Sequence, residues 1–555
     1  MRKIVLASII SGLSFVSFSQ VLTLTNQSTG EPVELATLMS DKPKAFVITN
    51  AKGQANIAEF RSSEKIEIRA LSYKNIITSY AELEAESFKL QMAPSAVSME
   101  EVVIAATRWS QTSGDVPARI VSVSPKTINL QNPQTSADLL GISGKVFIQK
   151  SQQGGGSPMI RGFATNRLLY SVDGVRMNNA IFRGGNLQNV ISLDPFANEK
   201  TEILFGPGSV IYGSDAIGGV MSFQTLTPQF SLSEKPLIAG KAVTRFSSAN
   251  NEKTGHFDIN VGYNNWAFLT SISSFNYGDL RMGSHGPEEY LRPLYVQRQD
   301  STDVTMTNED PLVQRPSGYS QINMMQKVHF KPGVKWDFQY GFHYSETSSY
   351  SRYDRHIRYK NGLPRYGEWS YGPQKWMMNS LNITNIANKD IFDRVSLRIA
   401  QQYFEESRVS RDINQPDREI RTEGVDALSA NLDFIKSMNS KNKLYYGVEY
   451  VLNLVSSEGI NENILDGSFT TGPSRYPQAD WTSIAIYIND QYKISESFLL
   501  QAGFRYNQFI LNAEFDNSFY PFPFTTANLN DGALTGSIGA VHRPTEEWVI
   551  STNLA

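Results

Sequence analysis

Cysteine is absent from the 555 residues. That excludes disulfides, thiolate metal sites and a lipidated N-terminal cysteine. No apolar run approaches the roughly 20 residues that a membrane-spanning helix needs. Should the chain enter a bilayer, a β-barrel is the remaining route, because backbone groups in lipid must pair internally. Histidine is scarce and scattered, six in all with the first at His256, so no histidine-based zinc site precedes that point. No nucleophile is paired with a base, which argues against an enzyme. Basic residues show no excess, 51 Lys and Arg against 54 Asp and Glu for a net charge of −3, and nucleic acid is not an expected partner.

Glycine and aromatics are plentiful instead: 39 Gly, 25 Tyr and 11% aromatic residues favour β structure with many turns. At the start, Arg2-Lys3 precedes an apolar run from Ile4 to Val16 and then Ser17-Phe18-Ser19. This is the pattern of a secretory signal peptide over 1–19, with the mature chain beginning at Gln20. Residues 20–92 read as a small β-sandwich. Val21 to Thr25 and Lys65 to Ala70 alternate, and turns fall at Thr29-Gly30-Glu31-Pro32 and Asn50-Ala51-Lys52-Gly53.

The stretch from Lys145 to Phe223 organises the chain. Strand-sized apolar runs such as Arg167 to Val172 and Glu202 to Phe205 lie between glycine turns, the signature of a small, strongly turned mixed α/β domain. A phosphate loop at Gly154-Gly155-Gly156 is a weak alternative, since no Gly-Lys-Ser/Thr and no helix-forming run follows. Four motifs occur in order: Met159-Ile160-Arg161-Gly162-Phe163, Val172-Asp173-Gly174-Val175-Arg176, Gly206-Pro207-Gly208-Ser209-Val210-Ile211-Tyr212-Gly213 and Gly218-Gly219-Val220. Together they resemble the plug domain of TonB-dependent outer-membrane receptors, here assigned to 115–228. The motif positions are Arg161, Gly162, Asp173, Gly174, Gly206, Pro207, Tyr212, Gly213, Gly218 and Gly219. Short helical turns are expected at Asp138-Leu139-Leu140 and Asp194-Pro195-Phe196. Arg161 and Arg176 are expected either to pair with Asp173 and Glu202 inside a lumen or to sit on a solvated face.

The first module is similar to the carboxypeptidase-regulatory-like domains that precede such plugs. Between the two, residues 93–114 form a linker carrying Glu100-Glu101-Val102-Val103-Ile104-Ala105-Ala106. This segment resembles a TonB box, the site where TonB, working with ExbB and ExbD, engages by adding an extended strand to its own sheet. One more strand of the preceding sandwich is the competing reading.

Residues 229–555 change to repeated amphipathic strands. Trp336 to Tyr344 alternates without a break, as do Phe257 to Tyr263 and Val395 to Ile399. Tight links at Asn264-Asn265, Lys331-Pro332-Gly333, Asn388-Lys389-Asp390 and Pro544-Thr545 alternate with long ones near 276–319, 345–376, 407–425, 456–480 and 512–531. An outer-membrane barrel has this pattern, with short inner turns and long outer loops. About thirteen strands fit before Ala555, against the roughly 22 of such receptors. The expectation is therefore a mainly β chain comprising sandwich, plug and an incomplete antiparallel transmembrane barrel truncated at its C-terminal side.

The segment from Asp173 to Asn189 and the run Leu204-Phe205-Gly206-Pro207 resemble the haem and haemoglobin receptor branch, although the plug lacks histidine and Asn186 stands where some relatives carry one. The candidate capture residues are His285, His343, Arg352, Tyr353, Arg355, His356 and Tyr359. Arginines can pair propionates or an anionic siderophore, aromatics can stack on a flat ligand, and His or Tyr can reach iron. No intrinsic cofactor or firm metal site is assigned. Haem or a ferric siderophore would be the transported ligand. Cobalamin, a glycan, or a non-transporting surface-binding role are the alternatives.

Overall fold

The computed structural model describes residues 20–555 apart from 35, 51, 71–72, 94–101, 110, 183–188, 232 and 546–547. The expected signal peptide, Glu100, Glu101 and Asn186 lie outside the described residues. The chain forms two compact units: Met1–Glu101 with Thr545–Trp548, and Val102–Pro544 with Val549–Ala555.

In the first unit, alternation sends Leu22, Leu24, Ile66 and Ile68 into one core, each fully buried. Val21–Asn26 pairs with Gln54–Asn56 on one side and runs parallel to Lys89–Met92 on the other. A second sheet orders Lys44–Ile48, Thr37–Asp41, Ile66–Arg69 and Ile76–Thr78. The helix Tyr80–Ala85 opens on a capping box between Ser79 and Glu82. Both sheets contribute side chains to this one core.

In the second unit, the plug is built on a five-stranded sheet of Arg119–Val123, Asn198–Phe205, Gly219–Thr225, Leu168–Val172 and Val175–Arg176. Only Leu168–Val172 and Gly219–Thr225 are parallel among these pairs. Helix Ser136–Ile142 and the short 3-10 turn Pro195–Ala197 fall where the sequence places helical turns.

Among the described residues, thirteen strands from Leu237–Ser247 to Trp548–Leu554 follow one another in chain order along a 16-stranded sheet. One face holds the plug: Trp376, Met378, Ala400, Phe404, Val425 and Val455 of the wall share a core with Leu140, Tyr170, Phe182 and Phe223 of the plug. The other face is apolar and bare. Along Gln478–Ser495, Ile484, Ile486 and Ile488 are 48%, 59% and 45% exposed, while Ala485, Tyr487 and Asn489 are 3%, 3% and 2% exposed. Isoleucine outside and asparagine inside is the reverse of a soluble sheet and is what lipid requires. At the tight-turn end, Trp266 stacks on Phe330 at 4.1 Å and Trp336 on Phe338 at 5.8 Å, an aromatic belt at the level of an interface.

The tight links at Asn264-Asn265, Lys331-Pro332-Gly333 and Asn388-Lys389-Asp390 fall where expected, Pro544-Thr545 ends the strand Thr526–Thr545 instead, and three long links are shorter than the sequence suggests. Strands Arg394–Asp412 and Asp417–Ser437 run on as a hairpin through most of 407–425. Asn442–Asn463 and Gln478–Ser495 likewise extend into 456–480, and Phe498–Glu514 and Thr526–Thr545 into 512–531. Beyond the bilayer, cross-strand ion pairs replace apolar alternation: Arg418 meets Glu462 at 2.6 Å and Glu368 at 3.2 Å.

Candidate functional site

Buried charge joins the wall to the segment before the plug, and Arg505 Nη1 donates on to the plug's Ile211 carbonyl at 3.3 Å. Arg108 Nη2 donates to Glu449 Oε2 at 2.5 Å, and Arg505 Nη2 to Glu449 Oε1 at 2.6 Å. Asn431 donates a third bond to Glu449 at 2.9 Å. Arg108 also stands 3.7 Å from Asp433, which accepts the Tyr487 hydroxyl, and 4.8 Å over the Tyr212 ring. Burial opposes the Arg108 charge, yet Glu449 and Asp433 hold its pKa above the ordinary guanidinium value. Strand alternation puts Glu449, Asp433 and Arg505 on the luminal face.

A second fastening centres on Asp173. It accepts from the Thr225 N–H at 2.9 Å and hydroxyl at 2.7 Å, and pairs with Lys327 of the wall at 2.9 Å. Burial pushes the carboxyl up, but Lys327 and His343 outweigh it and leave the pKa well below the usual carboxylate range.

The plug motifs serve these contacts. Gly174 and Gly213 hold φ of +81° and +85°, and a Cβ on either would lie 2.9 Å from Arg398 Cζ or 3.2 Å from Arg505 Nη2. Only glycine combines that backbone with such a close guanidinium. Gly206 and Pro207 turn the chain from Asn198–Phe205 into the short helix Ser209–Tyr212, and Gly218 and Gly219 lead into the strand Gly219–Thr225. The expected pairing of Arg161 and Arg176 with Asp173 and Glu202 is not found. Arg161 and Gly162 form an exposed turn, and Arg176 pairs with Asp215. Glu202 pairs with Lys200 at 2.9 Å and accepts the Ile104 and Ala105 N–H groups at 2.8 and 2.7 Å.

That last contact concerns the segment that resembles a TonB box. Its described part is folded onto the plug: Val102–Val103 pairs with Gln111–Thr112, and Val103 and Ala105 are fully buried. Trp109, following it, packs with Ile435 and Tyr445 beside the inner turn at 438–441. The segment therefore lies at the tight-turn end.

The opposite end carries an aromatic and arginine cap. Trp369 receives Arg352, Arg355 and Arg408 at 5.1, 5.2 and 5.6 Å from its ring centre. Tyr350, Tyr366, Tyr371, Tyr277 and Tyr319 continue the cluster. Arg352 is forked onto Asp354 at 2.8 and 2.5 Å, and the Tyr353 hydroxyl donates to the Lys150 carbonyl of the plug at 3.1 Å. The loop thus rests directly on the plug.

The candidate histidines do not converge. His285 is exposed and contacts Ser284, whereas His343 lies within the lumen, 3.5 Å from Asp173 and tilted against Trp376. His356 is buried, with Nε2 3.2 Å from the Trp369 carbonyl. Burial, with Arg292 nearby, lowers its pKa to about 3, so the ring stays neutral at physiological pH. Tyr359 is 45% exposed. Among the described residues no group of three or more His, Asp or Glu side chains is placed to hold a metal. Glu449, Asp433, Arg505, Arg108 and Lys327 escaped the sequence reading; a charge at an inward position of an alternating strand was the available signal for the wall residues.

Two family models match the chain: TonB-dependent Receptor Plug Domain over residues 112–220 and TonB dependent receptor-like, beta-barrel over 329–555. The Vitamin B12 transporter BtuB of Vibrio vulnificus is 32% identical over 181 residues, covering 32% of this chain and 28% of that protein. The Hemin receptor of Yersinia pestis is 28% identical over 143 residues, covering 26% of this chain and 21% of that protein. These matches span about a third or less of the curated relatives' length. Among solved structures, Copper transporter OprC superposes with a TM-score of 0.60 at 14% identity, covering 77% of this chain and 61% of its own.

Proposed function

The chain belongs to the TonB-dependent receptors of the Gram-negative outer membrane, and we propose that within that family it captures an iron complex, haem or a haemoprotein ahead of a ferric siderophore, for energy-driven uptake. The observation that carries this reading is polarity. A plug packs on one face of a lipid-facing sheet, with an arginine–aromatic cap at its long-loop end and the segment from Val102 to Ala105 at its tight-turn end. The cap suits a flat anionic ligand: Tyr359, 45% exposed, offers a stacking face, Arg355 offers a donor for carboxylates, and the buried Trp369 holds the arginines in place. In this reading Arg352, Tyr353 and Arg355 belong to the capture surface, His356 anchors the Trp369 segment, and His343 sits at the plug–wall seam. At the inner end, TonB with ExbB and ExbD would engage residues 100–105. The resemblance to the Yersinia hemin receptor supports haem; cobalamin is the second reading, because the longer match is to BtuB.

Haem titration of the detergent-solubilised chain, followed by the Soret band, tests the cap. Trp369→Ala is expected to weaken haem binding at least tenfold. Equal affinity in both proteins would remove the cap from ligand capture, and cyanocobalamin binding with no haem binding would favour the second reading.

A further inference from the structure

Between the plug and the fourth to seventh wall strands lies a cavity of about 230 Å³, room for several water molecules. It opens beside Ile104, Arg108 and Trp109, on the inner half of the lumen and far from the arginine–aromatic cap. Its lining is unevenly charged: Arg108, Lys327, Arg394 and Arg398 contribute cations, and Asp173 is the carboxylate.

Local pairing does not remove the excess. Lys327 is matched by Asp173, and Arg108 by Glu449. Arg398 reaches Asp433 at 3.4 Å, but that carboxylate also faces Arg108 and accepts the Tyr487 hydroxyl. The nine-tenths buried Arg398 keeps its Nε without a partner. Arg394 lies 5.1 Å from the Trp109 ring centre, and the carboxylate that acts on it, Asp337, is already bonded to His329. Residues 394, 396 and 398 alternate along one strand, so both guanidinium groups and the Ser396 hydroxyl share the luminal face. His329, 7% exposed, gives Nε2 to Asp337 at 3.0 Å and leaves Nδ1 without a partner. Buried guanidinium donors left over from pairing are costly unless an anion completes them.

We propose that this seam cavity is an anion-selective station, where the carboxylate or phosphate group of a cargo is received between Arg394 and Arg398 on its way past the plug. The inference rests on the reading that cargo crosses this lumen. Because Ile104 and Trp109 form part of the wall, the station lies against the segment that a pull from the inner side would move first.

The absence of cysteine makes a direct test available. Ser396→Cys places a unique thiol in the cavity, and the purified full-length chain in detergent is treated with an anionic or a cationic methanethiosulfonate. Rates are normalised to those of a free thiol. The sulfonate reagent is expected to react at least tenfold faster than the trimethylammonium reagent. Arg394→Gln or Arg398→Gln in the same background should bring the ratio towards one. Acetate or inorganic phosphate should slow the sulfonate reagent, and whichever competes identifies the class of anion. A ratio at or below one in Ser396→Cys, a ratio unmoved by both glutamine variants, no labelling by either reagent, or no competition by either anion would each overturn the proposal. No transport is needed for this readout, so it can fail while haem capture at the cap stands, and the reverse.

Discussion

Glu449 is the acceptor shared by Arg108 of the segment before the plug and Arg505 of the wall, and all three side chains are no more than 2% exposed. Glu449→Gln keeps the shape but leaves two buried guanidinium groups around a neutral amide. Removing one partner of a buried pair costs about 3–5 kcal/mol, mainly through the charge left behind. Urea unfolding in detergent should show a loss of that order, and adding Arg108→Met should recover part of it. An unchanged midpoint in Glu449→Gln would mean the cluster does not fasten the plug. Little of this was legible beforehand. The luminal phase of Glu449 can be read from the alternation of its strand, but Arg108 lies 341 positions away and nothing local reveals the register that joins them. The candidate histidines show the converse: each was visible as a residue type, and only packing revealed that His356 is tied to the Trp369 carbonyl.

At the scale of elements, the segment Ile104–Ala105 is held by one carboxylate. Glu202, fully buried, accepts both N–H groups, and Glu202→Ala would orphan them. An unsatisfied buried donor costs about 1–3 kcal/mol. Amide hydrogen exchange at Ile104 and Ala105 is therefore expected to quicken by about tenfold or more in Glu202→Ala. Unaltered exchange would show that other contacts pin the segment. Strands inside the bilayer were the most legible elements, because lipid outside and a polar lumen inside impose a period of two. The hairpin through 407–425 reads as a loop for the same reason: once outside the bilayer, Arg408, Arg411, Arg418 and Arg421 no longer alternate with apolar residues, while the backbone ladder continues and Arg411 and Arg418 pair with Asp303 and Glu462. The plug turns were legible through glycine, and their role was not. Gly174 and Gly213 make room for Arg398 and Arg505, which lie more than two hundred residues further along.

For the whole molecule, the exposed isoleucines, the aromatic belt and the charge-fastened plug define a machine with an outer and an inner end. The proposed activity requires the two ends to be separable: the cap captures without energy, and residues 100–106 transmit the pull. Deletion of 100–106 separates them. Cells carrying the full chain or the deletion are supplied with labelled haem, and surface-bound and internalised label are counted. The account predicts equal surface binding and no internalisation in the deletion. Internalisation at the full-length rate would contradict it.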